Sequence, residues 1–394
     1  MVKRIFIIAR RFNENSGSYA GFIEKFAKFA SKKGYQTIIL ATRSGKEKEK
    51  ENLGYAVVER ITKLPDRHVF TMNWDYYLLG IDVKKYFKKV TLSEEDLMLV
   101  NGRAALGVTD KKYVLRFNQP AGIFLKNMEI ADNEVSNISK LARKIHFGFI
   151  QPKLEKICVK NASGFIFPSA ETGDLNLRYY KNKKPSFIPQ SGVDFKSFSS
   201  IKKIRSNKRF ILFVSAGEEK IRKGIVYLEQ ALPEILKEHK DVNLLHVGAK
   251  FNWNVPQEFK KRIVSNGIVE WNDIKNYYAK AEMMVITALN EGIPNTLIEG
   301  MASGVPVLSS DINGITEYIT HLKGGYIYKR GDVAQLVKGI NYLLNNEKKA
   351  MEMVKVSQEI VRKLDYDKFH SALLDFLIAV NEGKAKDVNL ISSR

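Results

Sequence analysis

The chain has 394 residues, of which 44% are hydrophobic and 27% charged, and its net charge is +21. This length predicts two domains of roughly 150–200 residues, because a single hydrophobic core rarely grows larger. The single cysteine, Cys158, excludes an internal disulfide framework and a thiolate metal site, and is typical of a reducing cytosol. The apolar run at the amino terminus is only about five residues long, too short for a signal-peptide core or for the roughly 20 residues that span a bilayer.

Strand-like and helix-like patterns alternate along the chain. An apolar run at residues 3–10 precedes a polar loop, and residues 20–34 have apolar side chains at helical spacing. The other strand candidates of the first half lie at residues 35–42, 96–102, 112–118 and 163–169. In the second half, strands are expected at residues 209–217, 243–249, 267–271, 283–289 and 306–311. Helices are expected there at residues 223–239, 273–281 and 295–304.

This alternation predicts an α/β fold of two doubly wound, Rossmann-like domains, each with a parallel sheet covered by helices on both faces. No G-x-G-x-x-G sequence follows a strand candidate, which argues against a dinucleotide-binding unit. A segment rich in Pro, Gly, Ser and Lys at residues 184–207 separates the two sets of strands. The predicted division is an N-terminal domain at residues 1–195, a C-terminal domain at 196–365, and a last segment at 366–394 whose helix packs back on the N-terminal domain.

Three segments of the second half resemble one enzyme family. Residues 291–319 read EGIPNTLIEGMASGVPVLSSDINGITEYI, with seven residues between Glu291 and Glu299. FIPQSGVDFKSF (187–198) and RKGIVYLEQAL (222–232) are similar to two further motifs of that family, in the same order. Together they resemble the signature of retaining glycosyltransferases of family 4, which have the GT-B fold with two Rossmann-like domains facing a cleft. The resemblance implies a nucleotide-diphosphate sugar as donor, bound by the C-terminal domain, and an acceptor on the N-terminal domain.

The turn after Glu291 has the chemistry of a phosphate site. Gly292 lets the backbone approach a ligand closely, and Pro294 limits how the turn can move. A helix is expected to begin directly afterwards, and unpaired backbone donors and the helix dipole at such an N-terminus favour a phosphate. The expected donors are the backbone N–H groups of Asn295, Thr296 and Leu297.

The resemblance assigns roles to the two glutamates. Glu291 is expected to face the transferred hexose together with the Gly292–Asn295 backbone, and Glu299 to accept hydrogen bonds from the ribose hydroxyls. The local alternative is a capping box from Thr296 to Glu299, with Glu291 as a solvated loop residue. That alternative explains neither Glu291 nor the two flanking motifs, so the donor-site interpretation is favoured.

Lys223 lies near the start of an expected helix, where the family uses a lysine against the donor diphosphate. A fixed cation stabilises the charge that develops on the departing diphosphate more than it stabilises the ground state. The family usually has an Arg a few residues earlier, but Glu218 occupies that position, so Lys220 and Arg222 are the candidates for the second cation. The expected catalytic residues are Glu291 and Lys223, and the expected donor-binding residues are Gly17, Arg222, Gly292, Ile293, Pro294, Asn295, Thr296, Leu297 and Glu299.

The N-terminal half departs from the family pattern at two places. Gly17, with Ser16 or Ser18, stands where the family often has a Gly-Gly pair whose amides reach the donor phosphate. Asn118 and Gln119 stand where the family commonly has a His that contacts the transferred sugar, which argues against a His base. The mechanism inferred from the family is front-side attack, in which the acceptor hydroxyl loses its proton to the leaving phosphate.

No metal and no other cofactor is expected. The sequence has no His pair at i and i+4 and no cysteine cluster, and the GT-B resemblance does not require a metal. His146 is expected on a helix surface rather than as a ligand. Trp271 follows an expected strand and has two equal interpretations, a wall beside the nucleobase or a core side chain.

Positive charge is concentrated in the first half, with a net charge of +15 over residues 1–200 and +6 over residues 201–394. Basic and aromatic residues interleave at 82–90 and 139–160, a composition that suits anionic lipid headgroups. The expected partners are therefore a UDP- or GDP-sugar, a glycan or a lipid-linked or phosphorylated acceptor, and an anionic membrane surface. The expected location is cytoplasmic, including the inner face of the cytoplasmic membrane.

Other functional classes stay open at this point. The basic half also suits the phosphodiester backbone of a nucleic acid, although no helix-turn-helix, RNP or zinc motif appears, and glucosylation of DNA bases would combine both activities. A non-catalytic GT-B subunit that binds sugar nucleotides and activates a partner is a third class. A well-solvated, Lys-rich surface would also account for the charge.

Overall fold

The computed structural model describes residues 3–13, 17–43, 45, 47–64, 75–188, 193–204, 206–215, 220–270, 273–364 and 366–390. Its strands are β1 (Arg4–Ile8), β2 (Gln36–Arg43), β3 (Lys50–Asn52), β4 (Ala56–Lys63), β5 (Leu97–Asn101), β6 (Val114–Arg116), β7 (Gly164–Ile166), β8 (Ser186–Ile188), β9 (Arg209–Ser215), β10 (Val242–Gly248), β11 (Ile263–Ser265), β12 (Ala281–Ile286), β13 (Val307–Ser310), β14 (Tyr326–Tyr328) and β15 (Val388–Asn389).

Its α-helices are α1 (Gly17–Lys32), α2 (Asp75–Phe87), α3 (Ala121–Met128), α4 (Asn137–Arg143), α5 (Gln151–Asn161), α6 (Ala170–Tyr180), α7 (Phe195–Ser199), α8 (Ile225–Glu238), α9 (Gln257–Lys260), α10 (Ile274–Lys280), α11 (Asn295–Ala302), α12 (Val333–Asn345), α13 (Glu347–Arg362) and α14 (Tyr366–Glu382). Short 3₁₀ helices lie at Gly102–Val108, Glu129–Glu134 and Ile315–Glu317, and a π-helical segment, Lys144–Ile150, joins α4 to α5.

Two compact units divide the chain. The first comprises Met1–Leu125, Leu141–Gln190 and Asp367–Arg394, and the second comprises Lys126–Lys140 and Ser191–Tyr366. The sequence division placed residues 126–140 in the N-terminal domain, whereas the structure groups them with the second unit. One contact illustrates why, since the Tyr227 hydroxyl of α8 donates to the Ile130 carbonyl at 3.3 Å.

Nine strands form one sheet in the first unit, in the order β15-β8-β7-β6-β5-β1-β2-β4-β3. All neighbouring strands are parallel except β3 and β4. Successive residues of a strand face opposite sides of the sheet, so β1 contributes to two cores. Ile7 packs in the core that α1 and α14 cover, where Phe26 and Phe369 are buried. Phe6 packs in the opposite core, which α2 and α5 cover.

Six parallel strands form the sheet of the second unit, in the order β11-β10-β9-β12-β13-β14. The buried faces of α8 and α12 pack on one side of it, as expected for amphipathic helices in a doubly wound fold. Helix α11 approaches β12 closely, because a Cβ atom on Gly300 would lie 2.1 Å from the Met284 sulfur. A larger residue at position 300 would therefore require the Met284 side chain to move.

This topology confirms the prediction of an α/β chain with two doubly wound parallel sheets. The strand expected at 267–271 is wrong, because the strand of that region, β11, ends at Ser265. Gly267 has a φ of +72°, which is outside the extended region and ends the pairing. Trp271 lies outside the described residues, so its two interpretations stay untested. Among the described helices, none is both long and apolar enough to cross a bilayer.

Candidate functional site

The site begins where two neighbouring parallel strands of the second unit end. Strands β9 and β12 pair directly, so the turn before α8 and the loop after β12 meet at the same edge of the sheet. The two segments are joined through their backbones. The Leu289 N–H donates to the Arg222 carbonyl at 2.9 Å, and the Thr287 hydroxyl donates to the Lys223 carbonyl at 2.7 Å.

Gly224 makes this close approach possible. Its φ is +65°, and a Cβ atom at this position would lie 1.8 Å from the Thr287 carbonyl oxygen. Only glycine meets both conditions, because other residues rarely adopt a left-handed backbone and none fits in that space. The Lys-Gly pair is therefore placed by backbone contact with the loop that leads to Glu291.

Two cations converge on one carboxylate oxygen. Glu291 Oε2 accepts from Arg222 Nη1 at 2.8 Å and from Lys223 Nζ at 2.7 Å. Burial of the Glu291 carboxyl raises its pKa, but the charges and hydrogen bonds of Arg222 and Lys223 outweigh burial and hold the pKa below its ordinary value. Glu291 is therefore an ionised, half-buried member of a three-charge cluster, and the solvated-loop interpretation of Glu291 is wrong.

The structure distinguishes the two candidates for the second cation. The Lys220 ammonium donates to Glu229 Oε1 at 3.0 Å and to the Asn252 carbonyl at 2.8 Å. Arg222, in contrast, shares Glu291 with Lys223 and also donates to the Asn290 carbonyl at 3.3 Å. The cation beside Lys223 is thus Arg222. Glu218, which occupies the usual arginine position, lies outside the described residues.

Helix α11 begins at Asn295, with Pro294 as its extended N-cap residue and no side-chain hydrogen bond at the cap. The local alternative, a capping box from Thr296 to Glu299, is not formed, because Pro294 and not Thr296 is the N-cap residue. The Leu297 N–H donates to the Pro294 carbonyl at 3.0 Å, so its expected part in a phosphate site is not supported. The N–H groups of Asn295 and Thr296 lie in the first turn of α11, where the helix itself offers no backbone acceptor. They are therefore the donors that a phosphate would meet.

Glu299 lies one turn along α11 and is half-buried. The Tyr278 hydroxyl of α10 donates to Glu299 Oε2 at 3.0 Å and lies 3.4 Å from the Thr296 carbonyl oxygen. Burial, followed by the negative charge of Glu299, raises the pKa of Tyr278 well above its ordinary value, so this phenol stays protonated and donates.

Two further residues hold the loop after β12, and the sequence analysis missed both. Arg330, just after β14, donates to the Leu289 carbonyl at 3.1 Å and to Asp311 Oδ1 at 2.9 Å. Asn127 Nδ2 donates to Asn290 Oδ1 at 3.0 Å. The sequence contained a signal for Arg330, because polar residues that directly follow a parallel strand lie at the same edge of the sheet as the site. Nothing local marked Asn127.

The expected residues of the first unit lie at the carboxyl edge of its own sheet. Gly17 is the first residue of α1, which follows β1, and Asn118 and Gln119 follow β6. Asn118 is exposed, and its carbonyl accepts from Asn176 Nδ2 at 3.3 Å. The Gln119 amide nitrogen is buried and has no hydrogen-bond partner within the described part of the chain. Ser16 lies outside that part, and the Ser18 side chain is not described.

His146 is buried rather than on a helix surface, which corrects the expectation for this residue. It lies beside a buried polar cluster of the first unit centred on Glu155, which is 1% exposed. Burial, and then the charge of Arg103, lower the pKa of His146. The periodicity of this helical segment is inverted, with polar residues inside, and this misled the interpretation.

The Glu155 carboxylate accepts four hydrogen bonds from three different parts of the first unit and from its own helix. Its Oε2 accepts from the Tyr180 hydroxyl at 2.6 Å and from the Ala121 N–H at 3.0 Å. Its Oε1 accepts from Gln151 Nε2 at 2.6 Å and from Arg103 Nη1 at 3.3 Å. Because Ala121 begins α3, Glu155 fixes the end of the loop that carries Asn118 and Gln119.

Within the ranges that the structure describes, no group of three or more His, Cys, Asp or Glu side chains could hold a metal ion. The positive charge of the site comes instead from Arg222 and Lys223.

The two doubly wound units with parallel sheets place the chain in the GT-B fold class. Sucrose-phosphate synthase from Thermosynechococcus elongatus has a similar structure, with a TM-score of 0.75 over 95% of this chain and 98% of that one, at 16% identity. The solved structure of WaaG, a glycosyltransferase involved in lipopolysaccharide biosynthesis, gives a TM-score of 0.69 over 95% and 99% of the two chains, at 15% identity. At these identities the likeness establishes the fold and nothing more.

Residues 194–359 match the family model described as "Glycosyl transferases group 1". Spore coat protein SA of Bacillus subtilis is 27% identical over 232 residues, which are 52% of this chain and 61% of that protein. The phosphatidyl-myo-inositol mannosyltransferase of Mycobacterium leprae is 26% identical over 260 residues, which are 62% of this chain and 65% of that protein. The chain thus spans less than two thirds of the length of these curated relatives.

Proposed function

We propose that the protein is a retaining glycosyltransferase of family 4, which transfers a hexose from a UDP- or GDP-sugar to a hydroxyl of a glycan, lipid-linked or phosphorylated acceptor. One observation carries this proposal: Arg222 and Lys223 converge on Glu291 at 2.8 and 2.7 Å, directly before the N-terminus of α11. Two cations, a carboxylate and free helix amides match the parts of a sugar nucleotide. The family match over residues 194–359 covers these groups and supports the same activity.

The donor diphosphate would take the place of the Glu291 carboxylate between Arg222 and Lys223 and would accept from the N–H groups at the start of α11. Glu291, released from the cations, would accept hydrogen bonds from hydroxyls of the hexose, assisted by the Gly292 backbone. Glu299 would accept hydrogen bonds from the ribose hydroxyls. Each group then serves one part of the same ligand.

In the proposed reaction, the acceptor oxygen forms a bond to the anomeric carbon on the face from which the diphosphate leaves. The bond between that carbon and the phosphate oxygen breaks, and the acceptor proton passes to a leaving diphosphate oxygen. Because attack and departure share one face, the anomeric configuration is retained. Lys223 and Arg222 stabilise the negative charge that develops on the nucleoside diphosphate.

The proposal includes no metal and no organic cofactor, since the two cations supply positive charge at the diphosphate. If this holds, turnover persists after treatment with EDTA. Loss of turnover on chelation, restored by Mg²⁺ or Mn²⁺, would contradict this part of the proposal while leaving the transfer reaction intact.

The central experiment measures UDP and GDP release from a panel of sugar nucleotides with glycan and lipid-linked acceptors. Lys223→Ala and Glu291→Ala should each lower kcat about 10²- to 10³-fold, the effect of losing one transition-state contact. Lys220→Ala is the matched control, because this ammonium binds Glu229 and not Glu291, and its activity should stay within about threefold. Unchanged turnover in the Lys223 and Glu291 variants would show that the site assignment is wrong.

The acceptor side is proposed to rest on an anionic membrane surface. Along residues 141–160, an outer face exposes Leu141 (60%), Ile145 (47%) and Phe149 (67%) at four-residue spacing, with exposed lysines around them. These lysines are Lys144, Lys153 and Lys156. Apolar side chains in water between lysines suit insertion among anionic headgroups. Relatives with lipid substrates support the idea, such as the Escherichia coli galactosyltransferase whose name specifies GlcNAc-diphosphoundecaprenol.

Membrane docking through this surface agrees with the proposed location, cytoplasmic and at the inner face of the cytoplasmic membrane. Sedimentation with liposomes tests the docking. The wild-type chain should bind vesicles containing phosphatidylglycerol and not vesicles of phosphatidylcholine alone. Leu141→Ser with Phe149→Ser should abolish binding, whereas Ile268→Ser, at a 77% exposed isoleucine of the second unit, should not. Negligible binding of the wild-type chain to both vesicles would exclude membrane docking.

A further inference from the structure

The phenol of Tyr278 gives the Glu299 carboxylate a fixed partner inside the protein. Tyr278 lies on α10 and its side chain is fully buried. Its ring meets Phe198 edge to face, with centroids 5.8 Å apart. A tyrosine packed in this way cannot change rotamer without leaving its cavity, so the position of its hydroxyl is set by the core.

Glu299, in contrast, has a half-buried side chain with three rotatable bonds. The hydroxyl of Tyr278 donates to one oxygen of this carboxylate, Oε2, at 3.0 Å. A hydrogen bond to a rigid donor restricts the carboxylate before a ligand arrives, and such pre-organisation improves affinity by lowering the entropy lost on binding. A ribose offers two neighbouring hydroxyls, and a carboxylate in a fixed plane can accept from both.

We propose that Tyr278 is a positioning residue that orients Glu299 and so gives the site its preference for a ribose over a deoxyribose. This inference rests on the proposed function, in which Glu299 accepts the ribose hydroxyls. Because Tyr278 is fully buried and its hydroxyl donates to Glu299, it would act on the nucleotide through Glu299 and not by direct contact. Its contribution is confined to the sugar of the nucleotide and does not extend to the diphosphate.

The test compares the affinities of UDP and GDP with those of their 2′-deoxy counterparts, and of inorganic pyrophosphate, by calorimetry. The wild-type chain should prefer the ribonucleotide about tenfold or more, the value of hydrogen bonds to a charged group. Tyr278→Phe removes only the hydroxyl and should reduce this preference to about threefold or less, with pyrophosphate affinity unchanged. Tyr277→Phe, the half-buried neighbour on α10, is the matched control and should keep the wild-type preference.

A second variant protects the test from a folding defect. Glu299→Gln should lose the ribose preference as well, and combining it with Tyr278→Phe should add little, because the two residues act as one unit. A wild-type preference in Tyr278→Phe would overturn the inference, and so would an equal loss of pyrophosphate and ribonucleotide affinity, which indicates general loosening. A wild-type chain that binds pyrophosphate but neither UDP nor GDP would instead overturn the proposed function.

Discussion

Two carboxylates of this chain are each paired with an arginine, and their surroundings shift their pKa values in opposite directions. Glu291, in the second unit, places one oxygen within 2.8 Å of two cations, Arg222 and Lys223. Glu155, in the first unit, has one cation, Arg103, at 3.3 Å and otherwise neutral donors. The pKa of Glu291 is lowered, whereas burial raises the pKa of Glu155 despite its hydrogen bonds to Tyr180, Gln151 and the Ala121 N–H and the charge of Arg103.

This difference separates a carboxylate for ligand binding from a carboxylate for structure. The Glu291 side chain is 20% exposed and lies between two cations, so an incoming anion can replace its carboxylate as their partner. Glu155 is 1% exposed, and its four partners come from four separate elements, so it holds the fold and exchanges with nothing. Pairing with arginine does not by itself mark a functional carboxylate; exposure and charge balance do.

The largest expected effect falls on Glu155. Glu155→Ala should lower the free energy of unfolding by about 3–5 kcal/mol, because it leaves the buried Arg103 without its counter-charge and the Ala121 N–H without its acceptor. Urea denaturation measures this. Glu95→Ala, which removes a surface ion pair to Lys3 at 3.3 Å, is the control and should cost no more than about 1 kcal/mol. Equal losses in both variants would break the comparison.

A smaller effect is expected at Glu291. Removing its charge should strengthen pyrophosphate binding, whereas removing a residue that binds the ligand directly would weaken it. Glu291→Gln frees Arg222 and Lys223 from their internal anion, so affinity for inorganic pyrophosphate should rise about tenfold, or about 1.4 kcal/mol. Sugar transfer should fall at the same time. Glu258→Gln, at an exposed position of α9, changes the net charge equally and should leave both unchanged. Weaker pyrophosphate binding in Glu291→Gln would show that Glu291 does not compete with the diphosphate.

The smallest effect is a pair of opposite pH dependences. For Glu155, the folded pKa is raised, so its stabilising contribution is full below the ordinary value of 4.5 and is lost as pH rises through the raised value. For Glu291, the folded pKa is lowered, so its contribution is present above 4.5 and is lost as pH falls through the lowered value.

Unfolding of the wild-type chain, Glu155→Gln and Glu291→Gln from about pH 3 to about pH 7 measures both contributions. The advantage of the wild-type chain over Glu155→Gln should shrink as pH rises, and its advantage over Glu291→Gln should shrink as pH falls. Two differences that change in the same direction would contradict the contrast between the two carboxylates.

The sequence was sufficient for the fold because alternating apolar runs and helical spacing are local signals. It also pointed to the residues around Glu291, since the turn, the helix start and both glutamates lie within a single short segment. The second cation needed the structure, because Glu218 stands at the familiar spacing while Arg222 reaches the carboxylate. The Leu297 N–H donates to the Pro294 carbonyl in a turn, a contact that spacing alone does not reveal.

Contacts between distant segments were beyond the sequence. Tyr278 reads as an ordinary helix residue, and only the packing of α10 against α11 brings its hydroxyl to Glu299. Glu155 reads as one charge in a basic helix, and its partners Arg103 and Tyr180 come from other elements. Neither pairing corresponds to a periodicity or residue spacing that can be recognised in one amino-acid sequence.

Helix α14 has a consequence for biosynthesis. It supplies Phe369 and Phe376 to the core of the first unit, where both rings lie within 6.0 Å of Phe187. The ribosome makes this helix only after residues 191–365, so the first unit waits roughly 10 to 35 s for this layer at ordinary elongation rates. During that interval Phe187 on β8 lacks both of these ring contacts, and nascent chains should depend on chaperones until residue 382 has emerged.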